Sequence, residues 1–492
     1  MVRKVSLIPS YSAQAPNYWC TWSAQNYMYG DHAARIDPSI LEGNSGAILA
    51  RRAMNEEQIL GPNGWASEFF SSIRKDLYFL LDDGWESGGS STFILDAQKF
   101  PSFQGSPEDR LRKLNDAVRN RGWRGAALWC RDPPGGRADI SLVKRSASAG
   151  IHYWKIDGGD WNFDVDQVRD ELHAPLTTEH VHGEPPLNGD WRSDGRFEIQ
   201  NWNSKRVEIL RRANVYRTYD TISILSVPTT LDRVSQMLNA VQGHPEVHGL
   251  LNVEDEVYIA AVLGCTMGIM RYPLSGLRPD GDPDLSFAGP RRTKRRMDEV
   301  TRAIHWQRIA APYASGSGFV RLDGEILTDD WVFRAGESWD ALVNGQLVRQ
   351  GAPARVSRNI ELPRIEADHG KPYICAGRFP NGAVAIGSYE RTLADNGWFT
   401  PMVTASLEIP GKAGPFGIFG QFRALNLLFD HPLRGARLLG QDLKGGVARD
   451  ITKDAVIRGK EIHIPGELIS AIGLQEATPG DASSPGMILA IV

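Results

Sequence analysis

Eight short apolar runs recur between residues 18 and 271, each followed by a turn-rich or amphipathic stretch, and this alternation restricts the fold more than any other feature of the chain. The runs fall at 18–22, 77–82, 125–130, 152–157, 177–182, 215–219, 247–253 and 266–271. Apolar runs of strand length alternating with helical periodicity read as repeated β/α units. Between the second and third runs, Ser106 offers an N-cap and Pro107 a first helical position. Glu108 and Asp109 add first-turn acids, and Leu111, Leu114 and Val118 follow at helical spacing. Helical patterns also fit 165–173, 205–212, 231–241, 257–263 and 292–309. Eight such units predict an α/β fold, a (β/α)8 TIM barrel over residues 1–314.

The texture changes after Ala314-Ser315-Gly316-Ser317-Gly318. Helical periodicity gives way to Gly, Pro and alternating Val, Ile and Leu, which predicts a C-terminal antiparallel β-sandwich region over 315–492. Two long insertions, 31–62 and 183–203, interrupt the barrel pattern where loops of that length usually shape a substrate site.

Several barrel runs end in carboxylates, and side chains at the carboxyl ends of parallel strands converge on one cavity. Tyr153-Trp154-Lys155-Ile156-Asp157 puts Lys155 and Asp157 on one strand face, where the ammonium helps keep the carboxylate charged. Val215 to Asp220 ends the sixth run with Arg217 and Asp220. Two such carboxylates suit a nucleophile and a general acid/base acting on a glycosidic bond. The plainer alternatives are an Asp157 that turns the chain into Gly158-Gly159 and an Asp220 in an ordinary strand-to-helix loop, with Asp232 or Asp255 next in line. Asp82-Asp83 before Gly84-Trp85 reads as a pocket floor that accepts sugar hydroxyls, or as a turn cap. Trp22 and Trp154 stand near the ends of the first and fourth runs, where an indole stacks on an apolar sugar face or packs in the core. Thr178-Glu179-His180-Val181-His182 offers Glu179 to a substrate, or a His-x-His pair to a metal, although no matching ligand set stands on the other runs.

These segments resemble the landmarks of the retaining α-galactosidase clan, glycoside hydrolase families 27 and 36. Carrying the likeness, in order, are Trp19-Cys20-Thr21-Trp22, Leu80 to Trp85, Trp154 to Asp157, Arg217 to Asp220 and Asn252-Val253-Glu254-Asp255, over roughly residues 15–315. Two departures stand out: the first landmark lacks the Gly-Trp-Asn-Ser-Trp form common in family 27, and Arg217 precedes Asp220 by three positions instead of four. The resemblance implies that Asp157 is the nucleophile, Asp220 the acid/base, and Asp82-Asp83 the grip on the 4- and 6-hydroxyls of galactose. It further implies that Lys155 contacts sugar hydroxyls and that Asn252 and Asp255 support the pocket, while Arg217 reads as holding the 2-hydroxyl of the sugar or as orienting Asp220. The activity it implies is cofactor-free hydrolysis of a terminal α-galactoside in an oligosaccharide or glycoconjugate. A β-L-arabinopyranoside specificity, a metal-dependent barrel hydrolase and a non-catalytic sugar-binding protein are the alternatives.

The net charge of −4 over 492 residues gives no basis for a nucleic-acid partner or an acidic membrane, and fits a neutral substrate. The run Arg291 to Arg296 reads as the solvated opening of a helix. No stretch is long and apolar enough to span a bilayer, and the first residues lack the apolar core of a secretory signal, so a cytoplasmic location is expected. Cys20, Cys130, Cys265 and Cys375 lack CxxC spacing and read as reduced, buried thiols. Assembly into a homo-oligomer is left open by the sequence.

Overall fold

In a computed structural model of the chain, residues 5–25, 50–88, 92–131, 140–157, 164–181, 190–191, 197–198, 208–218, 226–271, 296–332, 347–395 and 397–492 are described. Each of the eight expected runs forms a strand: β1 (Tyr18–Cys20), β2 (Tyr78–Leu81), β3 (Gly125–Arg131), β4 (Tyr153–Asp157), β5 (Thr177–Val181), β6 (Val215–Arg217), β7 (Leu250–Asn252) and β8 (Gly268–Ile269). They pair in parallel in the order β8-β1-β2-β3-β4-β5-β6-β7. A parallel bridge between Asn252 and Thr266, just before β8, brings the two ends of this sheet together. The result is a nearly closed parallel barrel.

Helices α1 (Pro107–Arg119), α2 (Ile140–Ser148), α3 (Asp164–Glu171), α4 (Ser226–Val241), α5 (Val257–Leu263) and α6 (Met297–Gln307) join successive barrel strands or follow the last. Helix α1 starts as its sequence dictates: Ser106 Oγ accepts the Asp109 N–H at 3.2 Å, and Leu111, Leu114 and Val118 are buried. Helix α2 was not expected, because its apolar positions are few; Val143 and Ser146 are its buried residues.

Strand parity separates two packing layers. Trp19, Phe79, Leu81, Leu128, Cys130, Trp154 and Ile156 join the core between barrel and helices, while Tyr18, Cys20, Tyr78, Leu80, Ala127, Trp129 and Tyr153 form a cluster inside the barrel. Fully buried Trp19 lies edge-on to Phe69 at 4.9 Å and contacts the rings of Trp65, Phe79 and Trp123. Its truncation to alanine removes about 3–5 kcal/mol.

The C-terminal region is a sandwich of two sheets around a core that includes Ile374, Ile386, Leu407, Leu425, Ile462 and Leu489. The first sheet runs Val320–Leu322, Arg355–Arg358, Tyr373–Arg378, Val384–Tyr389, Phe416–Phe419, Gly486–Ile491, Leu438–Asp442, Arg449–Asp450. The second runs Arg364–Ala367, Val403–Ile409, Ala424–Phe429, Glu461–Pro465, Val456–Arg458. Antiparallel pairing predominates, but Arg355–Arg358 with Tyr373–Arg378, Val384–Tyr389 with Phe416–Phe419, and Val403–Ile409 with Ala424–Phe429 are parallel. Between the members of each such pair the chain visits the opposite sheet.

Helix α5, apolar and buried at every residue, lies under the first sheet. A Cβ at Gly377 would stand 2.1 Å from the Val262 carbonyl oxygen, so this close approach requires glycine. Helix α6 is buried by the same sheet despite its charges, because Arg302 forms a double hydrogen bond with Asp442 (2.8 and 3.1 Å) and His305 Nδ1 reaches the Leu443 carbonyl at 2.6 Å. At the head of α6, Arg296 corrects the solvated reading of the basic run: it is buried, lies 3.7 Å from Glu299 and 3.8 Å from Glu390, and covers the Trp398 ring. Residues 291–295 lie outside the described residues. Among the described residues no helix is long and apolar enough to cross a membrane. All four cysteines are buried and unbridged.

Candidate active site

Period-two alternation brings Cys20, Asp82, Lys155, Asp157, Glu179, Arg217 and Asn252 toward the barrel axis from six strands or their ends. Deepest is a neutral-donor cage around Glu179. Its carboxylate accepts the Tyr18 hydroxyl at 2.7 Å, the Tyr153 hydroxyl at 2.6 Å and Asn252 Nδ2 at 2.7 Å, and it is fully buried. Burial, reinforced by the Glu179 charge, pushes both phenols well above their ordinary range, so they remain donors. Glu179, expected on the substrate, is placed instead on the barrel floor, enclosed and held by three protein donors.

Above the floor, Lys155 Nζ lies 2.7 Å from Asp82 Oδ2, and both side chains are 4% exposed. The same oxygen accepts the Cys20 thiol at 3.0 Å, and Asp82 Oδ1 accepts the Asp83 N–H at 2.9 Å. Burial opposes the charge on Asp82, but Lys155 and these donors outweigh it and hold the carboxyl below its usual range. Burial and the neighbouring Arg217 oppose the ammonium of Lys155, yet Asp82, with Asp157 beyond it, raises it above its ordinary value. Cys20 is pushed well up by burial and then by Asp82, and stays a thiol.

Arg217, also buried, pairs through Nε with Glu254 Oε1 and approaches Met270 Sδ at 4.0 Å. Glu254 adopts a left-handed backbone at φ 52°, held by its N–H donating to Asn252 Oδ1 at 2.8 Å. A non-glycine residue keeps such a conformation where its surroundings over-determine it. Glu254 was not anticipated, although period two from Asn252 points to it. Asp255, next in the chain, faces elsewhere. Its Oδ1 accepts the Met270 and Arg271 N–H groups at 3.0 and 3.2 Å, so it fastens the chain after β8. Asp232 is buried within α4.

At the mouth stand Asp157, Asp83 and Trp22. Asp157 is partly buried, and Trp129 Nε1 donates to its Oδ2 at 3.1 Å. Among the described residues it has no ion-pair partner. Asp83, with its side chain 14% exposed, holds Arg51 at 2.6 Å. Burial raises the Asp83 carboxyl, and Arg51 only partly offsets that. No local sequence pattern marks Arg51. Trp22 is partly buried against the interior cluster.

Trp154 corrects the expectation of a stacking platform. Strand parity turns it outward, where Nε1 donates to Ser146 Oγ at 2.8 Å and the ring meets Phe93 at 4.4 Å. His180 likewise points out of the barrel, to Asp166 Oδ2 at 2.8 Å. Among the described residues no group of three or more His, Cys, Asp or Glu is arranged to hold a metal ion. Asp220 and His182 lie outside the described residues, as do 31–49 of the first insertion and most of the second. The arrangement presents two carboxylates at the mouth above two buried ion pairs: Asp83, which holds Arg51, and Asp157, which has no ion-pair partner among the described residues.

No protein family and no curated protein matches the chain. Among solved structures, the carboxyl transferase domain of Rhizobium etli pyruvate carboxylase with 3-hydroxypyruvate aligns at 13% identity and a TM-score of 0.33, over 60% of this chain and 47% of that one. An archaeal Rubisco (ribulose 1,5-bisphosphate carboxylase/oxygenase) aligns at 10% identity and a TM-score of 0.28, over 59% of each chain. A β-arabinopyranosidase aligns at 12% identity and a TM-score of 0.28, over 99% of this chain and 57% of that one. The chain therefore spans about half the length of the solved chains it matches. Likenesses this weak carry no argument about chemistry.

Proposed function

We propose that this chain is a retaining exo-glycoside hydrolase of α-galactosidase type, with Asp157 as nucleophile and Asp220 as general acid/base. The observation that carries the reading is the contrast at the barrel mouth. Asp82, Asp83 and Glu254 each hold a cation and Glu179 holds three neutral donors, whereas Asp157 accepts one indole N–H and pairs with no cation among the described residues. A carboxylate placed so can attack an anomeric carbon. In the first step an Asp157 oxygen bonds to C1, the bond from C1 to the leaving oxygen breaks, and Asp220 gives that oxygen its proton. In the second, water attacks C1, its proton passes to Asp220, and the electron pair of the C1–oxygen bond returns to Asp157. Lys155, Asp82, Arg217 and Trp22 line the route to that carbon, and no cofactor enters either step.

Arg51 favours a second reading within the same chemistry. It occupies Asp83 Oδ2, an acceptor that a galactoside would use for its hydroxyls. A β-L-arabinopyranoside, which lacks the hydroxymethyl group, demands less of that carboxylate. Both readings are tested by a panel of chromogenic α- and β-glycosides followed by proton NMR of the first-formed sugar. Turnover of a galactoside or an arabinopyranoside with retained configuration is expected, and an inverted product overturns the mechanism. Asp220→Ala should slow substrates with poor leaving groups far more than activated aryl glycosides, since only the former need protonation to depart. Equal losses remove Asp220 from its role, and a panel in which sugars bind but none turns over identifies a binding protein.

A further inference from the structure

Trp129 was not singled out by the sequence, yet its indole is buried inside the barrel beside Tyr78, Leu80 and Tyr153 and aims its N–H at Asp157 Oδ2, 3.1 Å away. Among the described residues this is the one hydrogen bond that the Asp157 carboxylate receives. The donor is itself braced. Trp129 pairs with Lys155 in the register of β3 and β4, and its carbonyl oxygen accepts the N–H of Trp85 at 2.9 Å. Trp85 is fully buried, and it follows Asp82, Asp83 and Gly84 at the end of β2.

We propose that Trp129 is a positioning residue for Asp157: it holds Oδ2, directs Oδ1 at the anomeric carbon, and makes Asp157 a better leaving group in the second step. This role rests on the reading of Asp157 as the nucleophile. A hydrogen bond to a carboxylate favours its charged form. Forming the glycosyl ester consumes that charge, so the N–H does not speed the first step. Breaking the C1–Oδ1 bond returns the electron pair to the carboxylate, and there the N–H stabilises the developing charge.

The test separates the two steps in Trp129→Phe, which keeps an aromatic ring and removes the donor. A fluorinated galactosyl fluoride serves as the labelling reagent; mass spectrometry locates the label, and its rates of formation and release are measured. Release is expected to slow about tenfold in Trp129→Phe while labelling changes less than about threefold, the tenfold being worth about 1.4 kcal/mol. A second variant carries 3-benzothienylalanine at position 129, which replaces the N–H by sulfur at nearly unchanged volume, and it should show the same split. Equal loss on both steps, or release as fast as in the natural protein, overturns the role of Trp129 and leaves that of Asp157 standing. A natural protein that turns over no glycoside and takes no label at Asp157 overturns the nucleophile assignment, and the role of Trp129 with it.

Discussion

Lys155 and Asp157 share one face of β4 yet have different partners: Lys155 Nζ lies 2.7 Å from Asp82 Oδ2, while Asp157 accepts only the Trp129 N–H among the described residues. A lysine two positions before a strand-end aspartate is expected to help keep that aspartate charged, yet its close contact goes to Asp82 on the neighbouring strand end.

Removal of the Asp157 carboxylate should lower glycoside hydrolysis by several orders of magnitude while sugar binding survives. Azide should restore turnover to Asp157→Gly by entering the vacated space, giving a glycosyl azide of inverted configuration. Hydrolysis by this variant at the rate of the natural protein would sink the assignment.

The Lys155–Asp82 pair is fully enclosed, so taking away one member strands the other. Lys155→Met should destabilise the fold by about 3–5 kcal/mol in urea unfolding, and Asp82→Asn added to it should recover a large part. Because Asp82 is held below its ordinary range, its contribution is complete above the unfolded value of about 3.9 and is lost as pH falls through the lower folded value. Lys155 is raised, so its contribution is complete below about 10.4 and fades only as pH climbs through the folded value. Between those limits the unfolding midpoint should owe no pH dependence to this pair. A loss under about 1 kcal/mol in Lys155→Met would contradict the enclosed ion pair.

His305 joins the barrel to the sandwich, with Nδ1 2.6 Å from the Leu443 carbonyl. Burial, then Arg308, pushes its imidazole down to about 4. The unfolded chain takes up this proton near 6.5, so stability should fall as pH drops from about 6.5 to about 4, by up to about 3 kcal/mol. His305→Gln should flatten that part of the curve, measured as urea midpoints across the window. An unchanged slope would assign the acid loss to other groups.

Specificity should reside at the mouth. An acceptor built for an axial 4-hydroxyl is left poorly paired by the equatorial epimer, at roughly 1–3 kcal/mol or more for a charged group, so galactosides should exceed glucosides in kcat/KM by on the order of a hundredfold. Asp83→Asn should narrow that ratio and slow the rate. A natural preference for the glucoside would show that Asp82 and Asp83 do not read the 4-hydroxyl.

Much of the architecture was legible in the sequence because strands and helices announce themselves locally. Alternating apolar runs fall on β1 to β8, the Ser106 cap starts α1, and the loss of helical periodicity after residue 314 precedes the sandwich strands. Parity alone could also have sorted Lys155 and Asp157 from Trp154, since successive side chains of a strand face opposite sides. What sequence could not supply is which inward group meets which. Glu179 became a floor residue only when Tyr18, Tyr153 and Asn252, distant in the chain, closed around it. Asp255 yielded its place to Glu254 only because a left-handed turn after β7 aims one carboxylate at Arg217 and the other at the chain beyond β8. Patterning depends on neighbours along the chain, which sequence lists; pairing inside a barrel depends on strand tilt and register, which exist only once all eight strands have met.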